Sequence, residues 1–258
     1  MPDSPAPPPF IAIAAADPLL AAELQLPLLT DPSIPGFTHL LVLTNDRLEL
    51  RELGPDAPGP VYVDFLSGTA AHRRRFGGGR NQPLARAVGL KGNASPSVID
   101  ATAGLSRDAF VLAGLGCTVR LVERSPIIAA LLRDGLRRAM QDPVIGPLVN
   151  ERLSLHLADS RDFLQWLDKT QRPEVIYLDP MYPHRRKTAL VGKEMRLLRQ
   201  VAGTDPDASE LLEAALTCAL RRVVVKRPRL APTLIGPSPT LHIIAPNTRF
   251  DVYLRQRG

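Results

Sequence analysis

From Ser97 to the C-terminus, short apolar runs alternate with longer amphipathic stretches. Val98–Thr102, Thr118–Glu123, Leu153–Ala158, Val175–Asp179 and Val223–Lys226 read as strands. Between them, Arg107–Leu115, Pro126–Met140, Ser160–Asp168 and Ala208–Leu220 carry the helical pattern. Parallel neighbours need a crossover between them, so this alternation predicts a mostly parallel sheet with helices on both faces. The last two strands, Leu241–Ala245 and Arg249–Leu254, are separated only by Pro246-Asn247-Thr248. No helix fits in that gap, and the pair is expected to close the sheet as an antiparallel hairpin.

Before about Leu90 the pattern changes. His39–Thr44 is an apolar run, Asn45-Asp46 supplies turn residues, and Arg47–Leu53 alternates polar with apolar, so a β-hairpin is expected. Val61–Phe65 is a further strand candidate, and Gly77-Gly78-Gly79 requires a loop. The opening stretch, Pro2 to Pro9, is proline-rich. It has no basic leader, and the apolar run after it is cut by Asp17 and Pro18, so neither a signal peptide nor a membrane span is expected. The expected division is a flexible extension over 1–36, a small α+β region over 37–90 that includes the glycine-rich loop, and an α/β domain over 91–258.

Composition narrows the partners. At 258 residues, 45% hydrophobic and 22% charged, the chain can bury a core without disulfides or metals. Its two cysteines, Cys117 and Cys218, are far apart and form no metal-ligand spacing, which predicts no metal and a reducing, cytoplasmic setting. Both read as small buried hydrophobes, and the single tryptophan, Trp166, reads as core. A net charge of +6 raises the odds of a polyanionic partner without fixing one. Oligomeric state is not legible.

Candidate chemistry sits at the ends of the strands. The first strand runs through Asp100-Ala101-Thr102-Ala103-Gly104-Leu105-Ser106 into the helix that starts at Arg107-Asp108. Small residues let a ligand approach the backbone, and the helix start offers unpaired N–H groups. The segment is not the G-x-G-x-x-G fingerprint, so a pyrophosphate has no obvious cradle. A zwitterionic cofactor without phosphate, S-adenosyl-L-methionine, suits it better, with Asp100 and Asp108 nearby; an ordinary tight turn is the competing reading. Glu123 ends the second strand, where a carboxylate can accept from ribose hydroxyls. Asp159 ends the third and serves as adenine ligand, helix cap, or both.

The fourth strand ends in Asp179-Pro180-Met181-Tyr182. This resembles the (Asp/Asn)-Pro-Pro-(Tyr/Phe) motif of methyltransferases that modify exocyclic amines. Such an amine has its lone pair delocalised into the ring. The Asp179 carboxylate and the Pro180 carbonyl can accept its N–H groups, and Tyr182 can stack on the base. Three basic clusters follow the same logic of an RNA partner. The first is His72 to Arg80, including Arg73, Arg74 and Arg75; the second is His184-Arg185-Arg186-Lys187. The third, Lys226-Arg227-Pro228-Arg229, leaves RNA contact and a solvated face equally open.

A set of segments is similar to the ribosomal RNA small subunit methyltransferase J family. They are Val63-Asp64-Phe65, Ala71–Arg74, Phe76–Arg80, Asp100–Leu105, Arg107–Phe110, Tyr177–Met181 and Val223–Pro228, and the resemblance runs from about Leu40 to Tyr253. It implies a Rossmann-like class I methyltransferase with a seven-stranded sheet. It also implies S-adenosyl-L-methionine as cofactor, methylation of a guanine N2 in 16S rRNA, and the rRNA or small ribosomal subunit as partner. Cofactor contacts are implied at Arg107 and Asp108, Glu123 and Arg124, Asp159 and Ser160, and Asp179. Ser106 stands where the family usually has Gly, and Tyr182 where it usually has Phe. The rival readings are an N6-adenine methyltransferase, a nicotinamide oxidoreductase lacking its glycine fingerprint, and a non-catalytic RNA-binding protein.

Overall fold

The computed structural model describes residues 11–14, 18–29, 36–55, 57–67, 79–181 and 193–255. Seven strands form the main sheet: β5 (Ser97–Asp100), β6 (Thr118–Glu123), β7 (Leu153–Leu157), β8 (Val175–Leu178), β9 (Arg222–Pro228), β10 (Leu241–Ile244) and β11 (Thr248–Leu254). Their order is β10-β11-β9-β8-β5-β6-β7. β5 to β9 pair in parallel, and β11 runs antiparallel to both β9 and β10. The expected sheet, including its terminal hairpin, is present. The chain steps outward from β5 to β7, then returns to β8 on the other side of β5. Ligands of such sheets bind at this reversal, beyond the carboxyl ends of the strands.

Buried strand residues alternate between two cores, as a period of two requires. On β8, Val175 and Tyr177 face one core while Ile176 and Leu178 face the other. The first core packs against α3 (Arg107–Gly114) and α4 (Pro126–Met140), the second against α6 (Ser160–Gln165) and α8 (Ala208–Cys218). α4 has the predicted bounds. Ser125 accepts a hydrogen bond from the Ile128 N–H, and Pro126 occupies the first turn, where its missing N–H costs nothing.

Within 1–36, where a flexible extension was expected, the described residues 11–14 and 18–29 include regular elements. β1 (Ile11–Ala14) pairs in parallel with β3 (His39–Leu43) and with β2 (Leu28–Leu29), and α1 (Pro18–Leu24) lies between β1 and β2. With β4 (Leu48–Glu52) they form a four-stranded sheet, β2-β1-β3-β4, whose Ile13, Leu41 and Leu50 join the first core of the main domain. Val61–Phe65 is not a strand. Val61 makes one isolated bridge to Leu50, while Phe65 stacks on Phe110 with ring centroids 4.7 Å apart. The side chains of this segment pack the two sheets together.

That packing explains a glycine inside α4. A Cβ on Gly135 would lie 2.6 Å from Val63 Cβ. Gly135→Ala is therefore expected to destabilise the fold by about 1–3 kcal/mol through overpacking, measured by urea unfolding, although alanine is the better helix former.

Three further helices lie outside those predicted from the sequence: α2 (Pro83–Val88), α5 (Gly146–Arg152) and α7 (Lys193–Ala202). Trp166 is 82% exposed, contrary to the core assignment, because α6 ends at Gln165 and its buried positions are Ser160 and Leu164. Cys117 and Cys218 are buried and free. Among the described residues, no helix is long and apolar enough to cross a membrane.

Candidate active site

A cavity of about 650 Å³ opens at the carboxyl ends of β5, β6, β7, β8 and β9. The tertiary structure brings Asp100, Gly104, Arg107, Asp108, Glu123, Arg124, Asp159, Ser160, Asp179 and Pro180 into its lining.

The loop after β5 is shaped by its own small residues and by Glu123. Gly104 has φ +51°, and a Cβ there would meet nothing closer than the Thr102 carbonyl at 3.9 Å. Its N–H donates to Glu123 Oε2 at 2.9 Å, while the Ser125 N–H donates to Oε1 at 2.8 Å. Burial raises the Glu123 carboxyl above its ordinary value, against the pull of these two bonds. Each oxygen keeps a lone pair for a further donor. Ser160 Oγ donates to the Ala101 carbonyl at 2.7 Å, fixing the start of α6 against β5. Asp159 caps that helix through the Arg161 N–H at 2.9 Å, and its side-chain bond with Arg161 holds its carboxyl below the usual range.

Ser106 is the strained residue of this loop. It adopts φ 54°, ψ 29° while buried, a left-handed conformation that favours glycine. Ser106→Gly is expected to stabilise the protein by about 1 kcal/mol by relieving the Cβ clash. In a thermal melt this appears as a rise of roughly 2–4 °C.

Acidic side chains converge at the centre of the cavity. Burial pushes the Asp100 carboxyl up to about 8. Tyr177 donates its hydroxyl to Asp108 Oδ2 at 2.6 Å, and burial followed by the Asp108 charge raises its ionisation well above normal. The Asp179 N–H donates to Thr102 Oγ1 at 2.6 Å, which pins the motif to the β5 loop. Burial raises the Asp179 carboxyl, and Lys226 opposes that rise. Lys226 Nζ lies 2.8 Å from both Asp108 Oδ2 and Asp179 Oδ2. Burial alone would lower the ammonium, but the two carboxylates outweigh it and hold Lys226 above its ordinary value. Among the described residues, no group of His, Cys, Asp or Glu side chains is placed to hold a metal ion.

The third basic cluster therefore splits. Lys226 points into the cavity, and Arg227 is buried with its guanidinium on the Pro232 carbonyl at 3.0 Å; only Arg229 stays exposed. The Arg124 guanidinium binds both Asp207 oxygens at 3.1 Å, the Thr204 carbonyl at 3.0 Å, and Asp205. It thereby ties the 204–207 loop over the cavity, where the Met181 N–H donates to Asp205 Oδ2 at 2.6 Å.

One expected RNA contact is corrected. Arg80 donates to the Gly92, Ala94 and Leu115 carbonyls and to Ser95 Oγ at 2.7–2.9 Å, so its guanidinium fastens a loop and is not presented to phosphate. Arg73, Arg74, Arg75, Tyr182, His184, Arg185 and Lys187 lie outside the described residues.

Sequence reasoning left Lys226 undecided and missed Thr102, Tyr177, Asp205 and Asp207. The break that Lys226 makes in the apolar run Val223–Val225 is the one signal that could have marked it.

Comparison with known proteins gives consistent relatives. The family model described as "Putative SAM-dependent methyltransferase" matches residues 22–255. The chain is 54% identical over 244 residues to the ribosomal RNA small subunit methyltransferase J of Aeromonas salmonicida, covering 94% of this chain and 96% of that one. It is 55% identical to the protein of the same name from Nitrosococcus oceani, covering 91% and 92% of the two chains. A crystal structure of a SAM-dependent methyltransferase from Neisseria gonorrhoeae superposes with a TM-score of 0.73 at 38% identity, covering 95% of each chain.

Proposed function

Because the chain belongs to the ribosomal RNA small subunit methyltransferase J family, we propose that it transfers a methyl group from S-adenosyl-L-methionine to the exocyclic N2 amine of a guanine in 16S rRNA. The observation that carries this reading is the convergence of the cofactor-type acids and Asp179 in one cavity at the sheet reversal.

The residues fit the cofactor. The cavity has the volume of a small-molecule site. Ala101, Ala103 and Gly104 leave room at the β5 loop, and Glu123 keeps acceptor capacity for ribose hydroxyls. The carboxylates of Asp108 and Asp179 suit a cationic ligand better than a pyrophosphate, which disfavours a nicotinamide. S-adenosyl-L-methionine supplies a methyl group already activated on a sulfonium. Arg107, Asp108, Glu123, Asp159 and Ser160 would hold it, with Arg124 acting through the 204–207 loop or its own backbone.

The protein's own work is positioning and charge. Asp179 Oδ2 is held by Lys226, which leaves Oδ1 without a protein partner among the described residues. Oδ1 accepts an N–H of the target amine, and the Pro180 carbonyl accepts the other. As the nitrogen gains the methyl group its N–H becomes acidic, and Asp179 accepts that proton. Tyr182 stacks on the base, while the arginines at 73–75 and the residues His184, Arg185 and Lys187 grip the RNA backbone.

The test is transfer of tritiated methyl from S-adenosyl-L-methionine into 16S rRNA and 30S particles lacking the native methylation, followed by nucleoside digestion. Label in N2-methylguanosine supports the proposal. Label in N6-methyladenosine moves the protein to an adenine specificity, and absence of both transfer and cofactor binding leaves an RNA-binding protein.

A further inference from the structure

Lys226 stands where the sheet could have placed an apolar side chain. It follows Val223, Val224 and Val225, all buried, and shares a face of β9 with Val224. Its ammonium bridges carboxylates from two separate segments, Asp108 at the start of α3 and Asp179 after β8, at 2.8 Å each. Asp108 is fixed in turn by the Tyr177 hydroxyl from the buried face of β8. The result is a hydrogen-bonded chain from the core to the motif carboxylate: Tyr177, Asp108, Lys226, Asp179. A partly exposed ion pair gains little net stability, because solvent screens the attraction and desolvation offsets the rest. Stability alone is thus a weak reason for a lysine here.

We propose that Lys226 is a positioning residue for methyl transfer: it anchors Asp179 through Oδ2 and leaves Oδ1 as the acceptor for the target amine. The proposal rests on the methyltransferase reading above. The charged and titratable groups facing Asp179 are Asp100 from β5, Asp108 from α3, Tyr177 from β8, Asp205 from the loop after α7, and Lys226 from β9. The carboxylates among them, with burial, favour a protonated Asp179; Lys226 is the cation that opposes them. Without that cation, Asp179 takes up its proton at higher pH, and the fraction able to accept from the amine falls at neutral pH.

The experiment compares wild type, Lys226→Met and Lys226→Arg. One readout is the pH dependence of kcat for N2-methylguanosine formation. The other is a ¹³C carboxyl NMR titration of the protein without cofactor, with the Asp179 resonance identified by its loss in Asp179→Asn. Lys226→Met is expected to move the Asp179 midpoint and the acid limb of kcat upward by about one pH unit or more. It should lower kcat at neutral pH by roughly tenfold, with a smaller change in the cofactor KM. Lys226→Arg, which keeps the charge, should return the midpoint close to wild type. A folded Lys226→Met protein with an unmoved midpoint and limb, or with its whole defect in cofactor KM, overturns the proposal. Should Lys226→Met not fold, Lys226→Gln carries the same expectation, since it keeps a hydrogen bond without the charge. If wild type transfers no methyl group, the family reading fails, while the NMR titration still decides the Lys226–Asp179 coupling.

Discussion

Asp179→Ala is expected to reduce kcat by about 10²–10⁴-fold, the range for removing a group that contacts the reacting atoms. The fold should survive the change. The anchoring bond to Thr102 Oγ1 comes from the Asp179 backbone N–H and is retained. Lys226 keeps Asp108 as a partner, so no buried charge is orphaned. Removal of Asp179 also relieves its repulsion with Asp108 and Asp205. Thermal unfolding of the variant should therefore stay within a few degrees of wild type while single-turnover methyl transfer collapses. Asp179→Asn separates charge from geometry: its amide oxygen can still accept an N–H but cannot take the proton. It should fall between wild type and alanine. A rate within threefold of wild type for Asp179→Ala would remove Asp179 from the catalytic machinery.

Glu123→Ala is expected to weaken cofactor binding by about 100-fold or more in a calorimetric titration, since charged hydrogen bonds contribute about 1.5–3 kcal/mol each. Two effects act together. The ribose acceptor is lost, and the N–H groups of Gly104 and Ser125 lose their partner, so the β5 loop that forms the cavity wall loosens. The second effect lowers stability as well, by about 1–3 kcal/mol for each donor left unsatisfied and shielded from water. Affinity should also depend on pH. Ribose hydroxyls bind the ionised carboxylate, and burial holds Glu123 above its ordinary value. In wild type the Kd therefore rises as pH falls through that elevated value, and in Glu123→Gln this component disappears. A wild-type Kd for the cofactor equal to that of Glu123→Ala would contradict the ribose role.

The strand plan and the acids at the strand ends that line the cavity were legible because both depend on local pattern. β6 and α4 were predicted at their observed bounds, since a six-residue strand and a fifteen-residue amphipathic helix each hold several periods. Glu123, Asp159 and Asp179 could be found by their positions at strand ends, which parallel topology turns into one cavity edge. α2 and α5, at six and seven residues, span fewer than two turns, too few for a period to register.

Other features depended on contacts across the chain. Arg80 reads as part of a basic cluster, yet it serves carbonyls as far as 35 residues away. Ile11–Ala14 reads as an extension to the proline-rich stretch, yet it becomes a strand because His39–Leu43 offers an edge and the main domain offers a core. Lys226 reads as a surface cation, and its partners are 118 and 47 residues distant. The sequence by itself determined the sheet and which acids stand at its strand ends, because periodicity and strand-end chemistry are properties of neighbours. Only the tertiary structure decided which charges meet. Long-range packing sets whether a cation faces water, a carbonyl or two cavity carboxylates, and no local pattern carries that information.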